Sequence, residues 1–257
     1  FFPQDRQGLV LGIVALGNFG TALAGFTLPV MSRSFGIHGT FRLIALLMLV
    51  TALVFRAGTE EMPLSGEGRT LRQALSVLKF RHTWLLSLLY FISFGVFMFF
   101  AVYLPTFLQD LFNVSMINAG LITGGFLTVA TLCRPVGGMM ADKMSAGKVL
   151  IAVYGVVILT TVYMAFYAHT PSSFLMISYI LSVFLGFENG AVFKLVPALF
   201  PRQTGAVTGI VGAVGGLGGF LLPLIFVNIK AITGLYQNGF LLLSFLSLCC
   251  MSITSRQ

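Results

Sequence analysis

Residues 200–220 read FPRQTGAVTGIVGAVGGLGGF, and residues 2–22 read FPQDRQGLVLGIVALGNFGTA. Phe2-Pro3 matches Phe200-Pro201, and Gly12-Ile13-Val14 matches Gly209-Ile210-Val211. Gly17 and Gly20 match Gly215 and Gly218, so the offset is 197 or 198 residues. The second copy holds six glycines between Gly209 and Gly219, inside an apolar stretch from 206 to 227. Each glycine in a helix costs about 1 kcal/mol against alanine. A helix that accepts this six times needs its bare backbone, to pack closely on a neighbour or to admit a small ligand. Gly212, Gly215, Gly216 and Gly219 recur at three- and four-residue spacing, which places them on one helical face.

The rest of the chain is built to match. It is 57% hydrophobic and only 9% charged, with a mean hydropathy of +0.98; soluble domains average about 25% charged residues. Eight stretches approach the roughly 20 apolar residues that a membrane crossing needs: 8–31, 41–55, 83–107, 117–141, 149–168, 172–200, 206–227 and 239–253. All are expected to be helical, because irregular backbone cannot face lipid. The chain therefore reads as an all-α polytopic membrane protein. With the first end inside, ten Lys and Arg fall in cytoplasmic segments and three, Arg33, Arg42 and Lys230, fall outside. That asymmetry predicts both ends cytoplasmic. Between the second and third spans, TLRQALSVLKF sets Leu71, Leu75 and Leu78 on one face and Arg72 and Lys79 away from it. A helix lying on the membrane surface and a solvated linker both fit that pattern.

Several function classes are disfavoured. The net charge of +8 sits mainly in short loops between apolar spans, so no nucleic-acid partner is expected. Cys133, Cys249 and Cys250 lie in apolar segments without metal-ligand spacing, and His38, His82 and His169 lie at span edges. No nucleophile–base arrangement or carboxylate pair is present, so no enzyme, metal or cofactor is expected.

Both copies of the repeat enter the membrane from the same side. They are parallel repeats related by an axis along the membrane normal, as the two halves of major facilitator transporters are. The copies are the first and seventh spans, so the period is six and the whole protein is expected to have twelve helices. The opening FFPQDRQG has no methionine or signal peptide, and the chain is expected to start mid-protein at the fifth helix. On this reading residues 1–57 carry the last two helices of an N-terminal bundle. Residues 58–82 form a central cytoplasmic loop, and 83–257 form a complete six-helix C-terminal bundle.

Gly137–Lys148, GGMMADKMSAGK, resembles the G-x-x-x-D-[RK] loop between helices 8 and 9 of the major facilitator superfamily. Ser145-Ala146 stands where Gly-Arg is usual. There Gly138 allows close helix approach, Asp142 can face a helix N-terminus or pair with a cation, and Lys143 completes the motif. GIVALGNFGTA and GIVGAVGGLGG are similar to the paired signatures of the nitrate/nitrite porter family, and ENGAVFKLVP to its helix 10. The resemblance implies a secondary transporter of nitrate or nitrite that works by alternating access, monomeric in a cell membrane. A facilitator for an organic anion or a drug is the alternative.

Ionisable residues inside a membrane are functional by default, and Arg134, Glu188 and Lys194 lie within spans. A guanidinium binds planar oxyanions with two parallel hydrogen bonds. The resemblance implies that Arg134 binds nitrate and that a second arginine comes from helix 2. It also implies that Tyr90 and Phe94, on one face of LLYFISFGVFMFF, hold the anion by hydroxyl and ring. The other reading of these residues is structural: a pairing of Arg134 with Asp142, and packing of the rings. Asn18 offers an amide at the depth where the second copy has Gly215 and Gly216, and all three are candidate substrate contacts. Glu188 departs from the family's usual Gly-x-Gly-Asn-Gly, as the chain has GFENG. A carboxylate near an anion site repels substrate unless protonated or paired. Lys194, six residues on, is about 240° round the helix and poorly placed to pair with it. Glu188 is therefore a candidate for proton coupling, or the mark of a shift of substrate.

Overall fold

The computed structural model describes residues 6–59 and 75–256. Among these are eight α-helices: α1 (Gln7–Val14), α2 (Phe19–Gly58), α3 (Arg81–Phe112), α4 (Met116–Lys143), α5 (Ala146–Phe166), α6 (Pro171–Leu199), α7 (Thr204–Thr233) and α8 (Tyr236–Thr254). One 3-10 turn, Ala15–Asn18, links α1 to α2, and another, Ser76–Lys79, precedes α3.

Seven helical stretches are long and apolar enough to cross a membrane, where the sequence leads one to expect eight. The first two expected spans run together as Gly8–Gly58, 51 residues. That length is about 77 Å of helix, more than twice the roughly 30 Å hydrocarbon core. The break between the two passes is a single residue. Gly36 has φ 68° and ψ 172°, a conformation that side chains disfavour and glycine accepts. The residues around it are helix-compatible, so nothing but Gly36 unwinds the chain. Beyond it Phe41, Leu47, Met48, Val54 and Phe55 are exposed.

The surface-helix reading of 71–79 falls partly outside the described residues. In the part that is described, Leu75 is exposed and Val77 is buried. The cause is local. Thr83 Oγ1 donates to the Val77 carbonyl at 2.8 Å, and Trp84 Nε1 donates to the Leu78 carbonyl at 2.8 Å. These bonds fold the turn back onto the start of α3.

The later helices pack chiefly in three pairs, α3 on α7, α4 on α6 and α5 on α8, with α3 also touching α4 and α6. The first two helices meet the rest mainly through α4, along an antiparallel seam of small residues. A Cβ on Gly12 would overlap Pro135, one on Gly25 would crowd Gly124, and one on Gly120 would crowd Pro29. Such residues let helix backbones approach closely where lipid removes the hydrophobic drive for association.

Candidate functional site

Arg134 lies in the second half of α4, and the residue is 1% exposed. Pro135 follows it, so α4 lacks one hydrogen bond of its ladder at this turn. Gly190 of α6 sits so close that a Cβ there would overlap the Arg134 carbonyl. The guanidinium lies over the Phe97 ring, 5.1 Å from its centroid. Nε, Nη1 and Nη2 are all buried without a hydrogen-bond partner among the described residues. Tyr90 and Glu188 interact with it through the field. The Tyr90 hydroxyl is a hydrogen-bonding neighbour of the guanidinium, just short of a bond of good geometry. Taking an ion out of water costs several kcal/mol unless it is paired and hydrogen-bonded. Five N–H donors in a rigid planar fork are thus buried with no acceptor in hydrogen-bond geometry among the described residues.

The aromatic face of α3 surrounds this fork. Tyr90 stacks on Phe94 with centroids 5.1 Å apart, and Phe193 of α6 meets Tyr90 edge-on at 4.7 Å. Phe94 leans on Phe97 at 5.8 Å. The ring under Arg134 is Phe97, while Tyr90 and Phe94 form the layer beside it. Tyr90 is pinned from behind by α7, because a Cβ on Gly215 would overlap its ring.

Glu188 of α6 is fully buried. Its partner is neither Lys194 nor a second carboxylate. Tyr154 of α5 has its hydroxyl 3.3 Å from Glu188 Oε1 and 3.2 Å from the Leu89 carbonyl of α3. The second carboxyl oxygen, Oε2, has no hydrogen-bond partner among the described residues. A field from Arg134 reaches Glu188, and Ser93 of α3 lies beside it.

Asp142 forms a separate polar clasp at the end of α4. It accepts from the Gly8 and Leu9 backbone N–H groups at 3.0 and 2.9 Å, where α1 presents its positive end. It also pairs with Lys194 at 2.5 Å. Asp142 thus spans three helices, and Arg134 is not its partner. Gly138 makes this possible, since a Cβ there would overlap the Gly8 carbonyl. Lys143 is exposed in the last turn of α4, where a cation complements the helix dipole.

The glycines of α7 divide between two adjoining sectors. Gly215, Gly218 and Gly219 press on Tyr90, Phe91 and Met98 of α3, whereas Gly209, Gly212 and Gly216 have nothing within 4 Å of an added Cβ. Gly215 therefore joins the Arg134 cluster through Tyr90, and Gly216 turns to the open side. Asn18 lies in the 3-10 turn, and its amide donates back to the Ala15 carbonyl at 3.4 Å.

Tyr154 and Phe193 belong to the cluster and are missed by sequence reasoning. A lone tyrosine in the apolar run AVYGVV is the only signal for the first, and nothing in one dimension names its partner.

A family model described as Major Facilitator Superfamily matches residues 1–223 of the chain. The chain is 39% identical over 244 residues to the "Nitrite extrusion protein" of Bacillus subtilis, covering 95% of this chain and 62% of that protein. It is 35% identical to the "Probable nitrate transporter NarT" of Staphylococcus epidermidis, covering 95% and 63%. It is 30% identical to the "Probable nitrate/nitrite antiporter NarK1" of Thermus thermophilus, covering 96% and 63%. The chain thus spans about three fifths of the length of these relatives. Among solved structures, the Escherichia coli fucose:proton symporter FucP aligns with a TM-score of 0.73 at 14% identity, over 99% of this chain and 70% of that one. That likeness is one of fold.

Proposed function

The chain belongs to the major facilitator superfamily, and from that premise we propose that the protein moves nitrate, nitrite or both across the membrane by alternating access. It acts as a monomer in the cell membrane with both ends cytoplasmic. The observation that carries this reading is the buried Arg134 fork, which has no acceptor in hydrogen-bond geometry among the described residues. Nitrate and nitrite are small planar anions whose oxygens match two parallel N–H donors. Tyr90 supplies a hydroxyl at the edge of the same site, Phe97 backs the guanidinium, and the Phe94 ring offers a flat apolar wall. The names of the relatives agree with that chemistry.

Alternating access requires the first helices to move against the later ones. Gly138, Asp142 and Lys143 mark where that motion is controlled. The Asp142 bonds to Gly8 and Leu9 join the two groups of helices at one end, and rocking breaks them. Orientation is testable by cysteine labelling in a background with the native cysteines replaced. Arg33→Cys is labelled by an impermeant reagent from outside the cell, and Arg202→Cys only from the cytoplasm. Labelling of Arg33→Cys solely from the cytoplasm reverses the assignment.

Glu188 sets the coupling. As a carboxylate it neutralises Arg134 and competes with the substrate anion; with a proton it leaves the guanidinium's charge to nitrate. Anion and proton therefore enter together. In proteoliposomes, nitrate uptake acidifies the lumen in the wild type, and Glu188→Gln takes up nitrate without acidification. Equal proton movement in the two proteins, read with a lumenal pH dye, removes Glu188 from the mechanism.

A further inference from the structure

The Tyr154 hydroxyl faces two acceptors at nearly equal distance, the Leu89 carbonyl at 3.2 Å and Glu188 Oε1 at 3.3 Å. A phenol has one proton to donate, so it cannot serve both. The state of Glu188 decides between them. When Glu188 carries a proton, its carboxyl O–H donates to Tyr154 Oη, and Tyr154 gives its own proton to the Leu89 carbonyl. When Glu188 is a carboxylate, the Tyr154 O–H turns to it, because a bond to an ionised acceptor is the stronger one. The Leu89 carbonyl is then left to its own helix. Each exchange moves one proton onto or off Glu188 and rotates one hydroxyl, and no other covalent bond changes.

Leu89 directly precedes Tyr90, the ring that stacks on Phe94, rests on Gly215 and faces Arg134. We infer that Tyr154 is a positioning residue that ties the proton on Glu188 to the anion at Arg134, by switching its single hydroxyl proton between Glu188 and the α3 backbone beside Tyr90. This rests on the anion reading of Arg134 and the coupling role of Glu188. The other groups facing Glu188 are consistent with a switch centred on Tyr154. Arg134 comes from α4, Tyr90 and Ser93 come from α3, and Cys250 of α8 lies against Tyr154. Lys194 of α6 pairs with Asp142. The α1 helix carries no titratable residue. Lys230, the single one on α7, is paired with Asp110 at 3.6 Å.

The test is nitrate affinity of the purified protein, followed by calorimetry across the neutral pH range. In the wild type, affinity falls about tenfold per pH unit above the midpoint, because one proton is taken up per anion. Tyr154→Phe removes one of the two donors, with Ser93 the other, that stabilise the carboxylate, so the midpoint moves up by about one pH unit. Incorporation of 3-fluorotyrosine at position 154 strengthens that donor without changing the packing, and moves the midpoint down. A purely structural role lowers affinity at every pH and leaves the midpoint in place; that result overturns the inference. So does a fluorotyrosine protein with the wild-type midpoint, which decides the matter if Tyr154→Phe does not fold. Wild-type affinity that ignores pH, or a pH dependence that survives in Glu188→Gln, instead places the failure in the coupling role of Glu188. Loss of all nitrate binding in the wild type places it in the anion site.

Discussion

Arg134→Ala abolishes saturable nitrate binding, and Arg134→Lys weakens it by roughly 10- to 100-fold. Lysine keeps the charge but gives up the planar fork, and a hydrogen bond to a charged partner is worth about 1.5–3 kcal/mol, or one to two decades in affinity. Titration calorimetry on the purified protein measures both. The same residue carries an opposite signature in stability. Its nitrogens are buried without an acceptor among the described residues, so Arg134→Met, of comparable length and apolar, raises the melting temperature of the ligand-free protein. If the guanidinium served as a structural pairing, the same change would leave a buried partner charge uncompensated and cost about 3–5 kcal/mol. Undiminished nitrate binding by Arg134→Ala sinks the anion site altogether.

Gly215→Leu abolishes transport while leaving expression and membrane insertion intact. Even a Cβ at this position overlaps the Tyr90 ring, and a leucine side chain expels Tyr90 from the layer it shares with Phe94 and Phe193. Gly215→Ala already carries an overpacking cost of about 1–3 kcal/mol, read as a lower melting temperature. Gly216→Ala is the control, one residue along the same helix with nothing within 4 Å of an added Cβ. There the better helix propensity of alanine, about 1 kcal/mol, goes unopposed. Equal melting temperatures for the two alanine variants, or near wild-type uptake by Gly215→Leu, dissolves the claim that this glycine holds the tyrosine in place.

Spans, repeat and fold class were readable because hydropathy and glycine spacing are one-dimensional signals. Crossing a membrane demands long apolar runs wherever they end up in space. That Arg134 lies within a long apolar helix was readable for the same reason. The join at Gly36 was not, since it depends on one backbone conformation inside a stretch whose neighbours all tolerate helix. Partners chosen in three dimensions were equally invisible. Lys194 reaches Asp142 from another helix, and Tyr154 reaches Glu188, though no local pattern links either pair. The glycine stripe of α7 was legible as one face, yet only the position of α3 divides it into a pressed sector and an open one.

Along the seam between the first helices and α4, glycines admit close approach at several points, from Gly8 against Gly138 to Pro29 against Gly120. Helices that interlock by ridges and grooves must climb over one another to shift. A seam this rich in glycine leaves few side chains to climb over, apart from Phe26 and Pro29 seated against Gly124 and Gly120. Resistance is gathered instead at the Asp142 clasp, where two backbone bonds and one ion pair meet. If the protein works by alternating access as proposed, the tempo of rocking is set by an electrical latch at one end rather than by repacking of the whole contact.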